Sequence, residues 1–469
     1  MAMPTVNGGS PAHLPAEMFR FVFQHATPSE SGARLGQMAL QQKHHIKTPH
    51  YLVSTSRGAV PHLSPDNLIR HTRISAVYLA LEDFIEKSST KSPIYSTPIK
   101  PGESRLRQYA GLPDQIFSIL GPRRVPSIPT PAHNTNSSIA ISTSVGFRFL
   151  EAKHYDEALE ALRADLSMSL ADVISNDVAS VKRIEKSVDR THAWLRDTVE
   201  TEGAQRTSPL FASIPPLEPE RLQFYLSDIE DDFRSQISGL AVYAPATTVG
   251  FSQSLRQLPV ICLSDPSTPR AVLSAIHTGI DMITVPFVTR ASEHGIALSF
   301  SFPGPPDSSN QPLGIDFWSS GHETDLSPLS PGCKCYACQR HHRAYLHHLL
   351  QANEMVAWTL LQIHNFAIID LFFDGIRQSI ERGTFEEDIK TFERAYESEL
   401  PDQTGQGPRI RGYQAKSIGG GEPRRNPRAY GKLDDQVQKL AEAESGVATP
   451  EGDAMEIEEH GLAKRVDEK

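Results

Sequence analysis

The apolar positions change period several times along the chain. Phe19, Phe21 and Phe23 alternate with other residues, as in a half-buried strand, and residues 47–53 read as a second short strand entering a turn at 55–58. An apolar run follows at 74–81, ordered character returns at 106–120, and residues 138–142 predict another strand. Residues 155–174 carry apolar positions at helical spacing, and 177–199 is amphipathic, with Val181, Ile184, Val188 and Leu195 on one face. Residues 237–243 predict a buried strand in which Gly239 marks a close approach to the backbone. Then come a strand at 258–263, a helix at 268–277 opened by Pro269, and a strand at 279–287. Strands alternating with helices place the chain in the α/β class, with a parallel sheet and crossover helices. A (β/α)8 TIM barrel suits roughly 250 residues of such alternation better than an open sheet does, and no strand leads into a dinucleotide-binding glycine fingerprint.

The longest helical pattern spans 343–373, where Leu346, Leu349, Leu350, Met355, Trp358, Leu361 and Ile368 give almost continuous apolar contact, and a shorter helix follows at 385–396. Thirty-five prolines cluster mainly in 94–132, 207–219, 302–331 and the tail, marking loops. The expected organisation is a disordered segment at 1–16, a barrel domain at 17–398 containing a subdomain at about 325–375, and a disordered low-complexity tail at 399–469. Within that tail, Arg424, Arg425 and Arg428 form a basic patch that could touch RNA but reads more simply as solvated charge. The net charge of −10 argues against a surface coated in positive charge, and no run of eighteen apolar residues predicts a transmembrane segment.

Candidate chemistry concentrates in residues 331–338, where Cys333, Cys335 and Cys338 are three of only four cysteines. Three clustered thiols leave one unpaired, and residues 1–16 lack a basic segment followed by an apolar core, so disulfides are not expected. Thiolates and imidazole are the ligands Zn2+ favours, so a closed Cys3His site is the leading reading. Spacing leaves the histidine open among His341, His342, His347, His348 and His364, the last 26 residues beyond Cys338. Cys262, alone in an apolar run, reads as a small buried hydrophobe.

With these residues in hand, the chain resembles the tRNA-guanine transglycosylases, or queuine tRNA-ribosyltransferases. The resemblance rests on Asp-Leu-Ser-Pro-Leu at 325–329, the Cys-x-Cys-x2-Cys cluster, Arg-Ala-Tyr-Leu-His-His-Leu at 343–349, Asn-Glu-Met at 353–355 and Ile-His-Asn at 363–365. Upstream it continues through Gly-Ala-Arg-Leu-Gly at 32–36, Lys-Ser-Val-Asp-Arg-Thr at 186–191, Ser-Gly-Leu-Ala at 238–241 and Gly-Ile-Asp-Met at 279–282, covering about 19–396. The resemblance implies a TIM barrel carrying a zinc subdomain, with His364 as the fourth ligand and one structural Zn2+, since four protein ligands leave no open position for water.

Active members of that family exchange guanine at the tRNA wobble position for a 7-deazaguanine base, using one carboxylate as nucleophile on the ribose and another to move protons. The resemblance places Thr143 and Thr284 at those two aspartate positions, so no catalytic residue is expected. It also puts Ala171, followed by Asp172, at the base-reading aspartate, and Val242, Tyr243 and Ala244 where active members continue with a glutamate. The implied role is the non-catalytic half of a heterodimer with a catalytic queuine tRNA-ribosyltransferase subunit, acting on tRNA, with the zinc subdomain in the shared face. The implied location is the cytoplasm, extended to peripheral association with the mitochondrial outer membrane. A competing expectation is an active enzyme in which Asp281, Asp172 or Asp165 does the work, and a weaker one is an unrelated zinc-containing RNA-binding module. Lys182, Arg183, Arg340 and Arg343 are candidate phosphate contacts, weighed against ordinary solvated cations.

Overall fold

The computed structural model describes residues 19–25, 32–40, 45–86, 91–130, 132–174, 179–201 and 208–408. The expected disorder at 1–16 and beyond 408, including the basic patch at 424–428, lies outside the described residues. Eight parallel strands close a barrel in chain order: β1 His50–Ser54, β2 Ala76–Ala80, β3 Phe117–Gly121, β4 Leu166–Met168, β5 Leu210–Ile214, β6 Gly239–Val242, β7 Val260–Cys262 and β8 Met282–Thr284. Closure comes from β8 on β1, with Met282, Ile283 and Thr284 opposite His50, Tyr51 and Leu52.

Period-two alternation sorts each strand. Leu52, Tyr78, Ile119, Met168, Phe211, Ala241, Ile261 and Met282 fill the interior, whereas Tyr51, Val77, Leu79, Leu120, Leu240, Val242 and Ile283 pack outward. A three-stranded antiparallel sheet, Phe19–His25, Leu35–Leu40 and Ile46–Thr48, floors the barrel under the strand N-termini. Met38, Leu40 and Ile46 join the interior cluster from below, and Phe19 meets Phe211 edge-on with ring centroids 5.8 Å apart.

Helices α1 Pro65–His71, α2 Arg105–Ala110, α3 Ala152–Leu162, α4 Val181–Thr201, α5 Pro219–Asp228, α6 Pro269–His277 and α7 Pro286–Glu293 follow strands β1, β2, β3, β4, β5, β7 and β8. The crossover from β6 to β7 has only the 3-10 turns Pro245–Gly250 and Leu255–Gln257. After α7 the subdomain helices α8 Tyr336–Arg340 and α9 Arg343–Gln351 precede α10 Met355–Arg382 and α11 Phe385–Ala395. Composition and length would let α10 span a membrane, but 72% of its apolar window is buried in the fold. It packs on α7 and reaches β1, where the Tyr51 hydroxyl donates to Asp370 at 2.6 Å.

Several elements differ from expectation, each for a local reason. Residues 47–53 form two strands, because Pro49 has no N–H to continue a ladder and the chain passes from the floor sheet to the barrel there. Residues 155–174 are not one helix: α3 ends with Arg163 in the left-handed region, and the alternating Leu166, Met168 and Leu170 enter β4. On α4 the buried face is Ser187, Thr191, Trp194, Leu195 and Thr198, while Val181 is 53% exposed. The hydroxyls bury cheaply because Thr191 and Thr198 donate to the carbonyls of Ser187 and Trp194, one turn back. The strand at 279–287 stops at Thr284 because Pro286 opens α7. The helix at 343–373 breaks at Asn353, whose φ is 54°. Residues 399–408 lie on the body, with Thr404 donating to Asp316 at 2.5 Å and Gly405 against the Trp318 ring.

Candidate functional site

The cysteine cluster is built by three elements. Gly332, with φ 76°, turns the chain into Cys333, and Cys335 caps α8 by accepting the Cys338 N–H at 3.4 Å. His364 is fully buried on α10, and its Nε2 donates to the Leu298 carbonyl at 2.9 Å. That bond fixes the tautomer and turns Nδ1 toward the sulfurs of Cys333, Cys335 and Cys338, at 3.7, 3.6 and 3.3 Å. Asn365 locks the same helix turn, accepting the Leu298 N–H at 2.8 Å and donating to Ser292 and the Ile296 carbonyl. The His-Asn pair thus supplies a ligand and the clamp that aims it.

All four ligand atoms lie within 4.8 Å of one another. Metal–sulfur and metal–nitrogen bonds of zinc length would put sulfur and nitrogen about 3.6 Å apart on a tetrahedron, so the residues fit a four-coordinate ion. Burial lowers the His364 pKa, but the Cys333 and Cys338 sulfurs outweigh it and raise the value to about 9. Concentrated sulfur charge of this kind is what a divalent cation neutralises. Of the rival histidines, His347 bonds the Phe317 carbonyl, His342 caps α9, His341 stacks on Tyr345, and His348 is exposed.

At the C-terminal mouth of the barrel, Thr284 ends β8, fully buried, and its hydroxyl donates to the Ser264 carbonyl. Thr143 requires a correction: it is on no barrel strand. It ends the first arm of a hairpin, Ser138–Thr143 with Gly146–Glu151, inserted between β3 and α3, where its hydroxyl donates to the Gly146 carbonyl at 2.7 Å. A hairpin turn reproduced the Ser-x-Gly-Phe pattern, and the residues that end β3 are Leu120 and Gly121. Neither position offers a carboxylate.

The competing aspartates are structurally committed. Asp281 and Asp165 precede β8 and β4, at the floor end, where Asp281 accepts from Arg34 and the Val260 N–H, and Asp165 from Arg107 and Ser118. Asp172 follows β4 at the mouth, but Arg183 grips both oxygens at 2.7 and 2.6 Å, and Arg190 and Asn134 complete its shell. Burial raises its pKa, but these donors outweigh it and leave the carboxyl below its usual value.

Sequence reasoning missed Glu82 and Asp83, directly after β2. Glu82 accepts the Arg124 and Ser142 N–H groups at 2.7 and 3.1 Å, and Asp83 accepts Arg124 Nε at 2.6 Å, so Glu82 ties the hairpin to the barrel directly and Asp83 does so through Arg124, which donates to the Ser142 carbonyl. The signal was two acids abutting the apolar run at 74–81. Leu263, Val125 and Tyr243 pack on the interior cluster from the mouth side.

Comparison with known proteins agrees with this geometry. A family model described as Queuine tRNA-ribosyltransferase matches residues 29–398. A Schizosaccharomyces pombe protein named queuine tRNA-ribosyltransferase accessory subunit 2 is 36% identical over 82% of this chain and 86% of its own. Proteins of the same name from Drosophila melanogaster and Anopheles gambiae are 30% and 26% identical, over 76% and 73% of this chain and 88% and 82% of theirs. A closed eight-stranded barrel, a Cys3His cluster and a match over most of its length place this chain in the queuine tRNA-ribosyltransferase family.

Proposed function

We propose that this chain is the non-catalytic accessory subunit of a heterodimeric queuine tRNA-ribosyltransferase. Its partner would exchange guanine for queuine at position 34 of tRNAs for Asp, Asn, His and Tyr, whose anticodons read GUN. The observation that carries the reading is at the barrel mouth, where Glu82, Asp83 and Asp172 are all consumed by arginines or backbone N–H groups and the β8 terminus holds Thr284. Base exchange needs an unengaged carboxylate to meet an oxocarbenium-like carbon and a second group to carry the proton. The names of the relatives support the same assignment.

Cys333, Cys335, Cys338 and His364 would hold one structural zinc, tying the subdomain loop to α10. The surface beside that site suits the partner subunit. Tyr336, Tyr345 and Leu371 are exposed there, at or near a groove lined by Arg70, Arg73, Lys334 and Arg340. Base exchange with labelled guanine, run on this chain, on the catalytic subunit and on the pair, tests the reading. The expected result is full activity only in the pair, and incorporation by this chain alone would overturn it.

A further inference from the structure

Among the described residues the mouth carries an arginine cluster whose charges do not balance. Four guanidinium groups, Arg123, Arg124, Arg183 and Arg190, meet three carboxylates, Glu82, Asp83 and Asp172. The pairing identifies the cation in excess. Arg124 takes Glu82 and Asp83, while Arg183 and Arg190 share Asp172. Among the described residues Arg123 bonds only neutral acceptors, Asn134 Oδ1 at 2.9 Å and the Ala140 carbonyl at 2.6 Å. Its Nε is buried and has no hydrogen-bond partner among them.

That guanidinium forms part of the wall of a cavity of about 300 Å³ between the segments that follow β3 and β4. Thr130, His133, Asn134, Ser180 and Arg183 line it too, so among the described residues its wall carries two guanidinium groups and further hydrogen-bond donors but no carboxylate. The first turn of the 21-residue helix α4 opens onto the same space, adding the positive end of its dipole. Burial lowers the Arg123 pKa, outweighing the Glu82 and Asp172 carboxylates, which raise it from nearby without bonding it. Holding a guanidinium away from water is costly, and an anion seated here would meet the part of Arg123 that lines the cavity.

We infer that this cavity is a phosphate-binding site, with Arg123 as its principal ligand. The phosphate comes either from the backbone of bound RNA or from a free phosphorylated small molecule. The pocket argument is independent of the proposed function; only the RNA source rests on that reading.

The test uses the full chain purified together with its catalytic partner. Inorganic phosphate is titrated by calorimetry, and an anticodon stem-loop RNA by fluorescence anisotropy across a salt series. Two variants are compared with wild type. Arg123→Gln removes the charge, and Ala132→Glu sets a carboxylate on the cavity wall outside the arginine cluster, so it remains informative if Arg123→Gln fails to fold. If RNA is the source, both variants weaken its binding about five- to tenfold and lower the slope of log K against log salt by about 0.7 to 1. If a free phosphorylated ligand is the source, the variants lose inorganic phosphate and keep wild-type RNA titrations. Superimposable titrations of both ligands across wild type and variants overturn the site. Co-purification of the partner with each variant reports separately on the accessory-subunit reading.

Discussion

Asp281 and Thr284 stand at opposite ends of one strand: the carboxylate lies under the barrel against Arg34, and the threonine hydroxyl lies at the mouth against the Ser264 carbonyl. In such barrels chemistry is done at the C-terminal ends of the strands, and the opposite end serves stability. The strand therefore retains its acid at the end where that acid cannot catalyse.

Asp281→Asn is expected to destabilise the chain by about 3 kcal/mol, because it leaves a largely buried guanidinium without its counter-charge. Base exchange by the reconstituted pair, normalised to folded protein, should not change. Denaturant unfolding and an exchange assay check the two halves of this expectation.

Thr284→Asp is expected not to create activity. The new carboxylate would face the Ser264 and Cys262 carbonyls in a fully buried position, a cost of about 3 kcal/mol or more, with no second acid to move the proton. A lowered melting temperature with no guanine incorporation is the predicted outcome; measurable exchange by the isolated variant would contradict it.

Asp370 sits at the edge of the basic groove with a pKa raised to about 6, chiefly by burial. Between about pH 4 and 6 the folded chain holds a proton that the unfolded chain has released, so this contribution to stability is full below about pH 4 and is lost as pH rises through 6. Asp370→Asn keeps an acceptor for the Tyr51 hydroxyl and should stabilise the chain by about 2 kcal/mol at pH 7 while changing little at pH 4. Thermal melts of both proteins across that range measure it.

Cys335→Ser, or exposure to a strong chelator, should release one zinc per chain, read by elemental analysis. The loop at 331–335 would lose its tie to α10, and loss of a metal is among the few changes that exceed about 4 kcal/mol. Weaker association with the catalytic subunit should accompany the loss, and sedimentation would detect it.

Gly239→Ala tests the barrel core. A Cβ there would fall 2.2 Å from the Phe211 ring, which Phe19 already blocks edge-on from below. A loss of about 1–3 kcal/mol is expected, without effect on zinc content.

The sequence carried the metal cluster and most of the alternation because both are local. Three thiols in six positions cannot disperse in any fold, and the strand at 237–243 showed its glycine wherever its neighbour might come from. Thr143 shows the limit. A Ser-x-Gly-Phe stretch fits a hairpin turn as well as the end of a barrel strand, and only strand pairing separates the two. The break at Asn353 was similarly hidden inside a continuous apolar pattern.

Which elements exist, and that Cys333, Cys335 and Cys338 must lie together, followed from the order of residues, because periodicity and short-range spacing act within a few residues along the chain. Which histidine joins them, which end of the barrel each aspartate occupies, and that Arg123 bonds Asn134 and the Ala140 carbonyl were decided by contacts between distant segments. Those contacts depend on the closure of β8 on β1 and on the packing of α10, which no local pattern encodes.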